Sequence, residues 1–112
     1  MYRILFLAGL LLFSIVSGCD APSNKPKKIL SPEEQRMSDA EQIFKSTCTL
    51  CHGIDGTLGL NGAKNLATST LSREEKINII THGKNSMAAY GNELAPEEIE
   101  NIADYIETLK KK

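Results

Sequence analysis

Apolar residues follow three different patterns along this chain. Residues 4–16 are almost wholly apolar, whereas apolar side chains recur every three or four positions over 32–47, 73–82 and 96–110. A recurrence of three to four residues predicts amphipathic helices. No stretch alternates apolar and polar residues as a half-buried strand does. The chain is therefore predicted to be all-α.

The start of each predicted helix carries a recognisable signal. Ser31 and Ser72 are each followed three residues later by a glutamate, which is the capping-box spacing, and Pro32 and Pro96 suit a first helical position. Each helix then has an apolar face that should turn inward. These faces comprise Ala40, Ile43, Phe44 and Thr47, then Ile77, Ile80 and Thr81, and finally Ile99, Ile102, Ala103, Ile106 and Leu109.

Two segments between the helices, residues 48–70 and 84–94, contain many polar residues, and four glycines lie in the first of them. Both are predicted to be irregular loops. Residues 31–112 then form one small domain, much of which buries little apolar surface by itself. A domain of this size usually needs an added staple such as a disulfide, a metal or a cofactor. The pattern therefore indicates a bound group on which the loops pack.

The first thirty residues lie outside that domain. Arg3 and the apolar run that follows are too short to span a bilayer comfortably and match a secretory signal. Residues 16–19, Val-Ser-Gly-Cys, resemble the lipobox of bacterial lipoproteins. This resemblance implies cleavage before Cys19 and lipid attachment to its thiol. The alternatives are an ordinary signal peptide or an uncleaved anchor, with an incidental cysteine.

This interpretation divides the chain into a signal peptide (1–18), a flexible tether that begins with lipidated Cys19 (19–30) and the domain (31–112). Cleavage leaves 94 residues and removes one of the 13 basic side chains but none of the 14 acidic ones, so the formal net charge becomes −2. Phosphate binding needs a surplus of basic residues, so nucleic acid is not an expected partner. The lipid would hold the domain on the periplasmic side of a bacterial membrane.

The strongest chemical signal is the sequence Cys-Thr-Leu-Cys-His at residues 48–52. Two cysteines at this spacing, at the end of a helix, reach the two vinyl groups on one side of a porphyrin and form thioether bonds. The next residue then directs its imidazole toward the iron. C-x-x-C-H is accordingly the signature of c-type haem attachment. The motif predicts one covalent haem (heme c) held by Cys48 and Cys51, with His52 as an iron ligand.

Three other uses of these cysteines have less support. A zinc site would need further ligands at suitable spacing, and His82 is the only other histidine. A thioredoxin-like redox pair would sit in a βαβ context, which the pattern lacks. A structural disulfide between Cys48 and Cys51 would close a short, strained loop.

Together with the motif, two helical patterns make residues 38–110 similar to the monohaem class I cytochromes c. Ala40 and Phe44 match the small and aromatic residues of that family's N-terminal helix. Its C-terminal helix is matched by Ile102, Tyr105 and Ile106. The resemblance implies a cytochrome c fold, in which these two helices cross and three to five helices wrap around one haem.

The resemblance also implies that Met87, in the segment 83–90, is the second axial ligand. A thioether sulfur binds ferrous iron well and raises the reduction potential. Two other residues, His82 and Met37, are rivals for that position. Filling a gap in the core is the commoner use of a methionine.

Two departures from the family pattern concern the loops. The residue after the axial methionine is often proline, but here it is Ala88, so the loop is expected to be less stiff. The family also often has a proline whose carbonyl accepts a hydrogen bond from the proximal histidine. Residues 62–66 occupy the equivalent stretch without a proline, so some other carbonyl there is expected to serve.

These observations favour a one-electron carrier, His/Met ligated and not an enzyme, in respiratory electron transfer at the outer face of a membrane. Its partners would be redox proteins that donate and accept the electron, and it would act as a monomer or within a respiratory complex. One alternative is a haem enzyme or a gas or redox sensor whose sixth site is open or labile. Another is an electron-transfer subunit of a larger respiratory complex.

Overall fold

The computed structural model describes residues 28–110, and the fold within that range is helical. It comprises α1 (Pro32–Thr47), α2 (Thr49–His52), a short 3-10 turn (Leu60–Gly62), α3 (Arg73–His82) and α4 (Pro96–Leu109). The described residues contain no strand, only an isolated β-bridge between Lys84 and Met87. The all-α prediction is confirmed. The predicted signal peptide and Cys19 lie outside the described residues, as does most of the tether.

Capping fixes where the long helices begin. The Ser31 hydroxyl accepts from the Glu34 amide at 3.2 Å, and the Glu34 carboxylate accepts from the Ser31 amide at 2.9 Å. Ser72 and Glu75 repeat this exchange at 3.1 and 2.7 Å. Such a cap contributes about 1 kcal/mol, because it satisfies amides that have no partner within the helix. Both predicted capping boxes are confirmed.

The core lies mainly between α1 and α4. Ala40 and Phe44 of α1 are buried, and the Phe44 ring lies 5.3 Å from that of Tyr105 at a tilt of 52°. This tilted geometry is favourable for aromatic pairs. From α3, Ile80 joins the same cluster. The remaining buried apolar residues are Ile99, Ile102, Ala103, Ile106 and Leu109. The predicted inward face of α4 is confirmed.

The segment after α1 differs from the irregular loop that was expected from Cys48 onward. The Cys48 amide still donates to the Phe44 carbonyl at 2.9 Å, and the His52 amide donates to the Cys48 carbonyl at 3.0 Å. Residues 49–52 therefore form one further helical turn, which ends at Gly53 with a φ of 78°. The glycine-rich composition predicted the loop after Gly53 correctly, whereas the C-x-x-C-H motif itself lies in helical residues rather than in a loop.

A buried charge on α3 was not anticipated. Lys76 is 5% exposed, one turn before Ile80. Its ammonium donates to the Leu71 carbonyl at 2.7 Å and pairs with the Glu107 carboxylate of α4. A buried ammonium is costly unless it is paired and hydrogen-bonded, and here it is both. Lys76 therefore ties the start of α3, and the loop before it, to α4.

A second polar contact joins three helices. The Asp104 carboxylate of α4 accepts from Arg36 of α1 at 3.0 Å and from Arg73 of α3 at 2.6 Å. Its hydrogen bond with Arg73, and then that with Arg36, holds the pKa of Asp104 below its usual value. The ionised carboxylate thus holds the N-terminal parts of α1 and α3 against α4.

We expect Asp104→Asn to lower the free energy of unfolding at neutral pH by roughly 1 kcal/mol, because the pairs are partly exposed and solvent screens them. A lowered folded-state pKa gives stability that is present above the unfolded pKa and lost as pH falls through the folded pKa. Urea unfolding should therefore show a lower free energy of unfolding for Asp104→Asn than for the wild type at pH 7, and equal free energies for the two proteins in acid. Asp39→Asn, whose side-chain oxygen can still accept from Gln35, is the control. An Asp104→Asn protein as stable as the control at pH 7 would contradict this role.

Candidate functional site

Of the two motif cysteines, Cys48 is the residue that joins α1 to α2, and Cys51 lies within α2. Cys48 is partly buried and packs against the core, and neither thiol is in a disulfide. Burial raises the pKa of the Cys48 thiol to about 11, so it is neutral at pH 7. A redox-active pair needs a thiolate with a lowered pKa. The environment of Cys48 therefore lacks this feature of a thioredoxin-like pair.

The imidazole of His52 is oriented by the loop that follows it. Its Nδ1 lies 3.0 Å from the carbonyl oxygen of Lys64. A carbonyl only accepts, so the proton is on Nδ1 and the lone pair is on Nε2. Histidines that bind metals are held by such an outer partner, which fixes the tautomer and the ring. The expectation of a carbonyl from residues 62–66 is confirmed, and Lys64 supplies it.

Met87 lies in a tight hairpin after α3. Lys84 and Met87 exchange two backbone hydrogen bonds of 3.1 and 3.0 Å, with Asn85 and Ser86 at the turn. Asn85 adopts a φ of 55°, which asparagine tolerates better than most residues. The Met87 side chain is partly buried and packs against the core. The thioether is thus presented by a short, closed turn.

This hairpin is attached to α3 at both ends. The Tyr90 amide donates to the Ile80 carbonyl at 2.9 Å, and the Gly91 amide donates to the Thr81 carbonyl at 3.0 Å. On the other side, a Cβ at Gly83 would lie 2.6 Å from the Met87 carbonyl oxygen. Backbone contacts therefore position Met87 despite the absence of a following proline.

The rivals for the second axial position contact other parts of the chain. His82 is exposed, and its Nδ1 lies 3.0 Å from the Asn78 carbonyl of its own helix. Met37 lies eleven residues before Cys48 in α1, which is about 16 Å along a helix. It packs against the core instead. These positions fit the surface role expected for His82 and a packing role for Met37.

Comparison with known proteins identifies the family. A family model described as cytochrome c oxidase, cbb3-type, subunit III matches residues 35–106. Cytochrome c6 of Gracilaria tenuistipitata is 34% identical over 86% of this chain and 91% of its own. A cytochrome c6-like protein of Nostoc sp. is 31% identical over 95% and 92%. This chain belongs to the cytochrome c family.

Solved structures agree with this conclusion. Cytochrome c6 from the diatom Phaeodactylum tricornutum superposes on the chain with a TM-score of 0.56 at 30% identity, covering 67% of this chain and 94% of that one. Cytochrome c6C from Synechococcus sp. gives a TM-score of 0.55 at 31% identity, covering 66% and 98%. The predicted cytochrome c fold is confirmed, and the chain is a monohaem c-type cytochrome.

The residues of this cytochrome fit a covalent haem. Two cysteines outside any disulfide adjoin an imidazole with a free Nε2, and a thioether lies on a separate loop. Nitrogen and soft sulfur donors suit haem iron. Exposed apolar side chains also line the motif and its loop, where an apolar macrocycle would find partners; they are Leu50, Ile54, Leu58 and Leu60.

The zinc alternative lacks ligands in the part of the chain that the structure describes. Within residues 28–110, no group of three histidine, cysteine, aspartate or glutamate residues is placed to hold a metal ion.

In the same range, no helix is long and apolar enough to cross a membrane.

One contact near the site had no signal in the sequence. The Ser86 hydroxyl, next to Met87, donates to the Asn61 carbonyl at 3.1 Å. The two residues are 25 positions apart, so no helical or strand spacing connects them. A serine in a polar loop has no feature that marks such a contact.

Gly83 and Gly62 offer a matched test of how tightly the Met87 hairpin is packed. Both have φ near 75°, but a Cβ meets the Met87 carbonyl at Gly83 and nothing within 4 Å at Gly62. We expect Gly62→Ala to cost roughly 1 kcal/mol from the backbone conformation. Gly83→Ala should cost roughly 3 kcal/mol, because the steric overlap and the glycine-specific ψ of 168° at this position both add to that strain. Equal losses in guanidinium unfolding of the haem-loaded proteins would show that the hairpin does not pack closely on Gly83.

Proposed function

We propose that this protein is a one-electron carrier whose single haem is bonded to Cys48 and Cys51 and ligated by His52 and Met87. The haem supplies an iron that alternates between the ferrous and ferric states. The chain supplies the attachment, the two axial side chains and the apolar surroundings. The observation that carries this proposal is the hydrogen bond from His52 to Lys64, which prepares Nε2 of the histidine in the C-x-x-C-H motif for iron.

The two proposed ligands are held differently. His52 is fixed covalently through its neighbour Cys51, and its ring is fixed by the Lys64 carbonyl. Met87 is fixed by the closed hairpin and by the attachment of that hairpin to α3. Ligands that keep their positions in both oxidation states leave no room for a substrate on iron. This is why electron transfer is favoured over the alternative of an enzyme or sensor with an open or labile sixth site.

The family description supports a second candidate, an electron-transfer subunit of a larger respiratory complex. The matching family model is described as an oxidase subunit. The relatives named cytochrome c6, in contrast, are covered over most of their length by this one chain. Native electrophoresis of gently solubilised membranes separates the candidates. Haem staining at the mass of a single chain supports the carrier, and staining only at the mass of a larger assembly supports the subunit.

The proposed location is the periplasmic side of a bacterial membrane, with a lipid on Cys19 as the anchor. The lipobox-like residues 16–19 and the polar, lysine-containing segment after them support this proposal. In this arrangement the domain would exchange electrons with redox proteins outside the cytoplasm, in a respiratory chain. Nucleic acid is not proposed as a partner.

Met87→Ala should leave the haem covalently attached, because Cys48 and Cys51 are unchanged. It should open the sixth position to water and to added imidazole, and the reduction potential should fall because the thioether no longer favours ferrous iron. Spectral titration with imidazole and a redox titration measure both effects.

His82→Ala is the matched control for Met87→Ala, and it should change neither imidazole binding nor the potential. The reverse pattern, in which His82→Ala gains imidazole binding while Met87→Ala does not, would overturn the Met87 assignment. It would favour a haem with two histidine ligands instead.

Cys19→Ser should release the protein from membranes or leave it unprocessed with its leader. Two or more acyl chains give stable attachment, whereas one gives marginal attachment. Fractionation of cells and intact-mass measurement of the wild-type protein test this prediction. A wild-type mature protein that carries no lipid would refute the anchor without affecting the assignment of the haem ligands.

A further inference from the structure

The two loops that carry the proposed axial ligands are linked by one particular hydrogen bond. His52 leads into residues 53–71, and Met87 lies in residues 83–95. Among the hydrogen bonds of the described residues, only the bond from the Ser86 hydroxyl to the Asn61 carbonyl, at 3.1 Å, joins these two loops. This contact therefore contributes to the position of one ligand relative to the other.

The acceptor of this bond is fixed relative to His52. Asn61 lies in the 3-10 turn with a φ of 53°. The Ala63 amide closes that turn by donating to the Leu60 carbonyl at 3.0 Å. The next residue, Lys64, holds the His52 ring through its own carbonyl. Asn61 is therefore only three residues from the group that orients the histidine.

The donor of this bond is adjacent to Met87. The backbone hydrogen bonds of the hairpin join Lys84 to Met87, and those of Tyr90 and Gly91 join the following residues to α3. They fix the base of the hairpin, but they leave its tip, Asn85 and Ser86, unattached to the opposite loop. Both tip residues are exposed. The Ser86 hydroxyl is the group that connects this tip across the site.

We propose that Ser86 is a positioning residue that holds the Met87 hairpin against the Asn61 turn and so disfavours release of the methionine from iron. The inference rests on the proposed ligation by Met87. A neutral hydrogen bond of this kind changes an equilibrium by roughly three- to tenfold. The population with Met87 released should therefore rise by about that factor when the hydroxyl is removed.

Imidazole binding to the ferric protein measures that population, because imidazole occupies the position that Met87 vacates. Ser86→Ala should bind imidazole roughly three- to tenfold more tightly than the wild type. Ser86→Thr, which retains the hydroxyl, should bind as the wild type does. Ser46→Ala is the matched control, since it removes a hydroxyl that donates to the Ile43 carbonyl on α1 at 3.0 Å. It should leave imidazole binding unchanged.

A double-mutant cycle with Met87→Ala separates positioning from other effects. In the Met87→Ala background, Ser86→Ala should give no further gain in affinity, because no methionine remains to be held. An equal gain in both backgrounds would overturn the proposal, since Ser86 would then affect only access to iron. The proposal would also be overturned if Ser86→Ala gave no gain in imidazole affinity in the protein that retains Met87.

A wrong assignment of Met87 as iron ligand would give a different result from a wrong role for Ser86. If Met87→Ala binds imidazole no more tightly than the wild type, Met87 is not the ligand, and the proposals for Met87 and for Ser86 both fall. If Met87→Ala gains binding and Ser86→Ala does not, only the role of Ser86 falls. Guanidinium unfolding of Ser86→Ala provides a second readout. A loss of stability equal to that of Ser46→Ala, without altered imidazole binding, would show a merely structural hydroxyl.

Discussion

The packing of α1 on α4 is the contact on which the rest of this structure depends. Phe44 and Ala40 are buried against α4, and the Cys48 amide donates to the Phe44 carbonyl. The first cysteine of the motif is thus one helical turn from the centre of the core. Since α2 continues directly from this point, the core fixes the position of Cys51 and His52 as well. A core substitution that shifts α1 would displace the entire attachment site.

The loops obey a different constraint, because hydrogen bonds to backbone groups hold them in addition to a few apolar contacts with the core. The Lys64 carbonyl reaches His52, and Met87 pairs with Lys84. Several large apolar side chains of α2 and the first loop stay exposed, Leu50 at 76% and Ile54 at 62% among them. A covalent haem gives such side chains a surface to pack on, which a domain of this size otherwise lacks. A haem attached at Cys48 and Cys51 would therefore cover apolar side chains that the helices leave exposed.

Local features of this fold could be predicted from the sequence, and contacts between distant residues could not. The capping boxes at Ser31 and Ser72 and the apolar stripe of α4 depend on neighbours within one or two turns. Lys76 shares a helical face with Ile80, but its partner Glu107 lies 31 positions away. The resemblance to the family predicted a carbonyl partner for His52 within residues 62–66, but it could not select Lys64, because every residue has a carbonyl and only the path of the loop selects one. Because Ala88 stands where the family often has a proline, a less stiff loop was expected. The backbone hydrogen bonds that close the hairpin could not be expected, because they leave no mark in the sequence.

The central claim is that Cys48 and Cys51 bond one haem covalently, and mass spectrometry of the denatured protein tests it most directly. Denaturation removes every non-covalent contact, so only a thioether-bound haem remains with the chain. The account predicts a mature polypeptide heavier by one haem, and a protein with both cysteines changed to alanine that carries none. A denatured wild-type protein with the mass of the bare polypeptide, purified from cells that assemble other c-type cytochromes, would contradict it.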